Sequence, residues 1–255
     1  MSQVAFNTLI YAMLGMACVV FVSLYFVTAG YGQFRSQRWG PSINNRVAWM
    51  LMEAPVFVTM VAVWVGAGCS AHVPELVLLL LFLTHYFQRS FIFPWLMTGR
   101  SRMPVAIMLM GVTFNVINGV LQGGGLYWYP NPDFAEGAAY LLRWNAIAGI
   151  TLFVIGMAVN LHSDHVIRHL RQPGDTRHYL PSRGLYRLVT SANYLGEITE
   201  WVGFALAAGT LAAWVFPIWT AANLVPRAHA IHRRYVEEFG REAVGARRRI
   251  IPFIY

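Results

Sequence analysis

The sequence predicts an all-α integral membrane protein of seven transmembrane helices, with its N-terminus outside and its C-terminus in the cytosol. Three observations predict it. Of 255 residues, 57% are hydrophobic and only 12% charged, against a charged fraction of roughly 25% in ordinary soluble domains. Seven stretches reach or approach the roughly 20 apolar residues that a helix needs to cross a bilayer. The arginines alternate between connections in the positive-inside pattern.

In chain order the stretches are about 4–29, 47–69, 74–97, 104–126, 138–161, 188–207 and 208–224. The first has no basic leading region and no convincing cleavage site, and so reads as a retained helix. Arg35, Arg38 and Arg46 place the first connection in the cytosol, whereas the second has no arginine. Arg100 and Arg102 mark the third connection as cytosolic; the fourth carries Asp133 and Glu136, with Arg143 at its far end. Arg168 to Arg187 lie in the fifth connection, 162–187, and Arg227 to Arg249 in the tail, 225–255. Little more than Ala207, Ala208 and Gly209 separates the last two stretches, so one long bent element, giving six helices, is the alternative there.

No internal repeat or linker divides the chain, which reads as a single membrane domain over 1–255. Its formal charge of +8 comes from 19 basic residues, none of them lysine. The arginine clusters sit beside spanning segments without aromatic platforms or zinc spacing, which argues for no nucleic acid partner and for the lipid bilayer as solvent. Cys18 and Cys69 lie in or at the edge of apolar helices and read as buried filler rather than a disulfide framework or a metal site.

Ionisable groups at membrane depth are costly and mark function by default. Asn160, Asp164, Arg168 and Arg171 follow one another at helical spacing, as do Asn193, Glu197 and Glu200, so each set lines one helix face. With helix direction included, these groups fall in the cytosolic half, together with Glu53 of the second segment and Tyr86 and Arg89 of the third. A carboxyl group in a low-dielectric site resists ionisation, so Glu53 reads either as a neutral acid able to donate a hydrogen bond or as an ion pair with Arg89. Tyr86 reads as chemistry or as packing. Asn115, Asn118 and Gln122 form an amide stripe whose plainest use is interhelical hydrogen bonding.

His162, His165 and His169 have spacing that a metal permits, but among arginines at a helix end they read as solvated or anion-facing, with no metal. Arg168 and Arg171 suit a phosphate, which the guanidinium fork binds bidentately. Carboxylates beside them, Asp164 and Glu197, suit ribose hydroxyls. Together these groups describe a nucleotide.

The stretch Asn160-Leu-His-Ser-Asp164 with Arg168 and Arg171, the run Ser191-Ala-Asn-Tyr-Leu-Gly-Glu-Ile198 with Glu200-Trp201, and the ending Arg249-Ile-Ile-Pro-Phe-Ile-Tyr255 closely resemble the steroid 5α-reductase family. His85-Tyr-Phe with Arg89, Asn118-Gly-Val-Leu-Gln122 and Arg227 through His232 and Tyr235 fit it as well. The matches span about 46–255, and residues 1–45 add only an apolar helix and Tyr31-Gly32.

The resemblance implies NADPH-dependent reduction of the 4,5 double bond of a 3-oxo-4-ene steroid, with hydride to C5 and a proton to C4. It implies that Glu53 and Tyr86 polarise the steroid carbonyl and that Trp201 lines the steroid pocket. It maps the nucleotide contacts onto Asn160, Asp164, Arg171, Asn193, Glu197 and Tyr235, with Arg89, Arg100 and His232 as further candidates, under cover of the loop 162–187 and the tail 225–255. Such a protein is multi-pass, in the inner membrane if bacterial and the endoplasmic reticulum if eukaryotic.

The chain departs from the family's pattern at Met52, where a glutamine precedes the glutamate, at His178 and Tyr179, and at Ile231. Isoprenylcysteine carboxyl methyltransferases resemble the C-terminal half but bind S-adenosylmethionine and need no acid at a carbonyl. Sterol double-bond reductases are the other alternative.

Overall fold

The computed structural model describes residues 1–27, 39–97, 101–171, 175 and 177–255. Helix α1 (Gln3–Phe26) starts where Ser2 caps the backbone N–H of Ala5. It turns Phe6, Ile10, Met13 and Ala17 inward, at spacings of four, three and four that keep one face of a helix. That face meets Leu121, Ala212 and Val215, and Trp219 Nε1 donates to the Met13 carbonyl at 2.7 Å.

Helix α2 (Asn45–Gly66) is capped by the Asn44 side chain. Strand β1 (Ser42–Asn44) pairs antiparallel with β2 (Arg102–Pro104), which ties the start of α2 to the start of α5 (Val105–Tyr127). The two helices then approach through glycine: a Cβ on Gly119 would lie 2.7 Å from Thr59 Cβ, and one on Gly123 would lie 2.9 Å from Val63 Cβ. In the chain between α2 and α5, α3 (Val73–Phe87) widens into a π turn over Gln88–Ile92 before the short α4 (Phe93–Leu96). The widening falls where Pro94 has no N–H for the Ser90 carbonyl.

Helices α6 (Trp144–Arg168) and α7 (Ala192–Ala208) pack backbone against backbone. Gly149 and Gly156 face Ala207 and Glu200, while Gly203 and Gly196 face Phe153 and Asn160. Both glycine pairs are seven residues apart, two helical turns, and small residues are what lets apolar helices approach this closely. Helix α7 ends at Gly209, whose φ of +64° only glycine adopts freely. Thr210 then caps α8 (Leu211–Phe239), so α7 and α8 are separate helices. After α9 (Arg241–Val244) the chain returns to the start of α7, where Thr190 N donates to the Arg248 carbonyl at 2.8 Å and Ser191 N to that of Arg249 at 3.0 Å.

Among the described residues, five helices are long and apolar enough to cross a membrane: Gln3–Phe26, Asn45–Gly66, Val73–Leu96, Val105–Tyr127 and Trp144–Arg168. Several boundaries differ from those expected. The expected 138–161 segment begins only at Trp144, because residues Pro132–Leu142 form a 3-10 element broken by Gly137 at φ +61°. It then runs on to Arg168, so the start of the expected loop 162–187 is helix. The segment expected at 208–224 is the first half of a 29-residue helix, and half of the expected tail continues it. The segment expected at 188–207 begins at Ala192, and the 47–69 segment ends at Gly66. Cys18 and Cys69 are both exposed, which corrects their reading as buried filler: Cys18 lies on the outward face of α1, and Cys69 follows the end of α2 at φ +55°.

Candidate active site

The centre of the bundle holds an aromatic cluster with polar groups at its edges. Tyr86 is buried on α3; its ring lies 5.7 Å from that of Trp201 and stacks on Phe216 at 6.3 Å. Trp201, completely buried, also packs on Phe82, Phe153 and Phe204. Beside Tyr86, His85 Nδ1 meets Glu200 Oε1 at 2.7 Å, and the His85 ring lies 4.6 Å from that of Trp201. This hydrogen bond joins α3 to α7 at the level of Tyr86 and Trp201. Glu200→Gln, which keeps a carbonyl acceptor for His85 but removes the carboxylate, is expected to cost about 1–2 kcal/mol of stability. The check is a lower thermal midpoint in detergent.

Glu53 on α2 and Tyr86 are within electrostatic reach of each other. Asn115 Nδ2 lies 3.3 Å from Glu53 Oε2 and 2.7 Å from the Met52 carbonyl, and Asn118 Nδ2 lies 3.4 Å from the Tyr86 hydroxyl. The amide stripe of α5 therefore makes the interhelical bonds expected of it, and two of them fall on the sharpest candidates for chemistry. The Met52 side chain lies where a Cβ on Gly111 would be, so it packs between α2 and α5.

Arg89 sits in the π turn and joins the remaining polar groups. It pairs with Asp164 at 3.0 Å and Glu197 at 3.5 Å, rather than with Glu53, while its guanidinium stacks over Phe93 at 4.6 Å and Trp49 at 5.2 Å. Asn160 donates to the Asn193 carbonyl at 3.0 Å, and Asn193 to Asp164 at 3.4 Å; the Tyr186 hydroxyl holds the Asn193 side chain at 3.2 Å. The reciprocal glycines of α6 and α7 make these short side-chain contacts geometrically possible.

Beyond this network lies a basic region. Arg168 Nη1, Arg249 Nε and Ser191 Oγ are buried without a hydrogen-bond partner among the described residues. Buried donors in native structures are almost always satisfied, so unpaired guanidinium nitrogens fit an anionic ligand such as a phosphate. His232 Nδ1 lies 3.3 Å from Thr190 Oγ1. Tyr235 is half-buried, within electrostatic reach of Tyr194 and Arg171, and Arg171 is exposed past the end of α6. Nearby, His178 Nδ1 meets Glu238 Oε1 at 2.8 Å and docks the connecting loop on α8. Within that loop, the Arg177 guanidinium and the Tyr179 hydroxyl hold the Asp175 carboxyl well below the usual carboxylate range.

Of the residues singled out in the sequence, Glu53, Tyr86, Arg89, Asn160, Asp164, Asn193, Glu197 and Trp201 come together on four helices. His232, Tyr235 and Arg171 lie around the basic region, and Arg100 falls outside the described residues. Two features escaped the sequence reading. The pairing of His85 with Glu200 joins residues 115 apart, for which neither local sequence carries a signal. The glycine pairs 149/156 and 196/203 do carry one, a seven-residue repeat of small residues in adjacent apolar segments.

The family model for 3-oxo-5-alpha-steroid 4-dehydrogenase matches residues 101–255. The chain belongs to that family. It is 36% identical over 249 residues to 3-oxo-5-alpha-steroid 4-dehydrogenase 1 of Bos taurus, covering 94% of this chain and 93% of that one. It is 34% identical over 257 residues to steroid 5-alpha-reductase DET2 of Gossypium hirsutum, covering 99% and 98%. To 3-oxo-5-alpha-steroid 4-dehydrogenase 2 of Homo sapiens it is 38% identical over 234 residues, covering 89% and 88%. These family likenesses bear out the resemblance read from residues 46–255 and extend it over nearly the whole chain.

Proposed function

We propose that the protein reduces the 4,5 double bond of 3-oxo-4-ene steroids with NADPH, giving 5α-dihydrosteroids by delivery of hydride to C5 and a proton to C4. The single observation that carries this reading is the pair Glu53 and Tyr86, set on separate helices and each bonded by an amide of α5, with Tyr86 against the buried rings of Trp201 and Phe216.

Reduction at C5 builds negative charge on the C3 oxygen. Glu53 as a neutral acid and Tyr86 as a phenol donate hydrogen bonds to that oxygen, the preorganised arrangement that stabilises a developing oxyanion. Trp201, Phe216 and Phe82 exclude water from the place where the charge forms, which strengthens both bonds. NADPH, when bound, supplies the hydride. Asn160, Asp164, Asn193 and Glu197 line its binding surface, with Arg89 orienting the two carboxylates, and Arg171, His232 and Tyr235 hold its phosphate end. The connection that precedes α7 and the chain that follows α8 help cover it.

In this reading α7 and the first half of α8 complete seven spans, with the N-terminus outside and the C-terminus in the cytosol. The arginine distribution supports that orientation. The protein is a multi-pass membrane enzyme, of the inner membrane in a bacterium or the endoplasmic reticulum in a eukaryote.

Purified protein with NADPH and a 3-oxo-4-ene steroid is expected to lose the absorbance of the reduced nicotinamide as steroid is consumed. No loss with any such steroid, alongside binding of S-adenosylmethionine, overturns the reading. Arg171→Ala is expected to weaken NADPH affinity by roughly tenfold or more, the worth of a charge-assisted hydrogen bond, with expression unchanged. Titration of NADPH by intrinsic fluorescence checks it, and reduced expression with intact affinity assigns Arg171 to folding instead.

A further inference from the structure

The amide stripe of α5 has a direction as well as a set of partners. Gln122 Nε2 lies 3.1 Å from the Ala212 carbonyl, and a backbone carbonyl only accepts hydrogen bonds. The NH₂ end of Gln122 must therefore face Ala212, and its second N–H reaches Asn118 Oδ1 at 3.3 Å. Turning the amide over would set two acceptors against each other. With its oxygen engaged, Asn118 presents its NH₂ to the Tyr86 hydroxyl at 3.4 Å. The Tyr86 oxygen accepts there, which leaves its single proton free to point elsewhere.

The same logic repeats one turn away. Asn115 Nδ2 lies 2.7 Å from the Met52 carbonyl, another acceptor-only group, and so it is the NH₂ end that meets Glu53 Oε2 at 3.3 Å. Asn115, Asn118 and Gln122 are all buried, Gln122 and Asn118 to about 99%, so water does not compete for these bonds. Gln122 Oε1 is left buried without a hydrogen-bond partner among the described residues. That leaves the orientation of this amide resting on its NH₂ end alone.

We infer that Asn118, oriented by Gln122 from the Ala212 carbonyl, is a positioning residue that occupies the acceptor side of the Tyr86 hydroxyl and so directs its proton at the steroid carbonyl, with Asn115 acting likewise on Glu53. This inference rests on the reading that Tyr86 and Glu53 meet a 3-oxo group. Among the described residues no hydrogen-bond acceptor competes for that proton, since Asn118 donates to the Tyr86 oxygen. An uncontrolled hydroxyl would spend part of its time turned toward whatever acceptor replaced the amide.

A double-mutant cycle on the full-length protein in detergent tests it, with turnover of a 3-oxo-4-ene steroid and the infrared C3 carbonyl stretch of that steroid bound to the protein as readouts. Asn118→Leu is expected to lower kcat roughly three- to tenfold, the worth of one hydrogen bond, with NADPH affinity kept. The carbonyl band should return part of the way toward its position in free steroid. Asn118→Asp, which offers the Tyr86 proton an acceptor, should lower kcat further than Asn118→Leu does.

In a Tyr86→Phe background, Asn118→Leu should have no further effect on kcat or the carbonyl band, because the residue it acts through has lost its hydroxyl. Independent, multiplying losses from Asn118→Leu and Tyr86→Phe overturn the inference while leaving the carbonyl reading intact. Tyr86→Phe with full turnover and an unmoved carbonyl band overturns the carbonyl reading itself, and this inference with it. If Asn118→Leu does not fold, Gln122→Leu is measured in its place, with the same expectations of a smaller kcat and no added effect over Tyr86→Phe.

Discussion

Glu53→Gln is expected to cut turnover by roughly two to three orders of magnitude, about 3–4 kcal/mol of barrier, the scale of an oxyanion-hole defect, because the amide that replaces the acid is a far weaker donor. The substitution keeps the size and shape of the side chain and a nitrogen able to donate. It removes the acidic proton, whose bond to a developing oxyanion strengthens as charge builds. Asn115, whose NH₂ faces Glu53, loses little, because a glutamine oxygen still accepts from it. The effect should therefore appear in kcat, with NADPH affinity within about twofold of the parent, since Arg89 bonds Asp164 and Glu197 rather than Glu53. Steady-state turnover beside an NADPH titration checks it; unchanged turnover would make Glu53 a structural glutamate.

Gly156→Leu is expected to be the most damaging single change to the fold. A Cβ at Gly156 would fall on the backbone nitrogen of Glu200 and 2.6 Å from its Cα, and backbone cannot rotate out of the way as a side chain can. The helices α6 and α7 would have to part, costing about 3 kcal/mol or more by overpacking. Parting them also separates Asn160 from Asn193 and pulls Asp164 and Glu197 off Arg89. Loss of monodisperse protein and of NADPH binding together is the expected result. Gly15→Ala is the control: nothing lies within 4 Å of its Cβ position, and replacing a glycine inside α1 should be neutral or stabilising by up to about 1 kcal/mol. A Gly156→Leu protein that folds and binds NADPH normally would show that the close approach is dispensable.

These residues also show where the sequence was readable. Helices α1, α2 and α5 were visible because lipid demands a long apolar run, although α2 stops at Gly66, short of the end of its run. The second half of α8 was not, because hydrogen bonding continues past Leu224 into a stretch containing Arg227, Arg233 and Arg234, and hydropathy records the solvent rather than the backbone. Residues Pro132–Leu142 failed in the opposite sense: they include an apolar run, but Gly137 breaks the helix. In the site, Glu53, Asp164 and Glu197 stood out as charges where charge is costly. Their partners did not, since Arg89 could have served any of the three carboxylates, and only the packing of α3 against α6 and α7 chose between them. The direction of the α5 amides was likewise hidden, because it depends on the carbonyls of Met52 and Ala212, which have no sequence signature.

Under the proposed function, hydride passes to a 3-oxo-4-ene steroid under the control of Glu53 and Tyr86. The most direct test of that transfer is one turnover experiment with NADPH deuterated at the transferable position of the nicotinamide, with the steroid product isolated and the label located by mass spectrometry and NMR. The expected product is a 5α-dihydrosteroid with deuterium at C5 and solvent-derived hydrogen at C4, formed by the parent protein and almost abolished in Glu53→Gln. A folded protein that binds NADPH yet yields no dihydrosteroid, or a product with the label anywhere but C5, would contradict the proposed function.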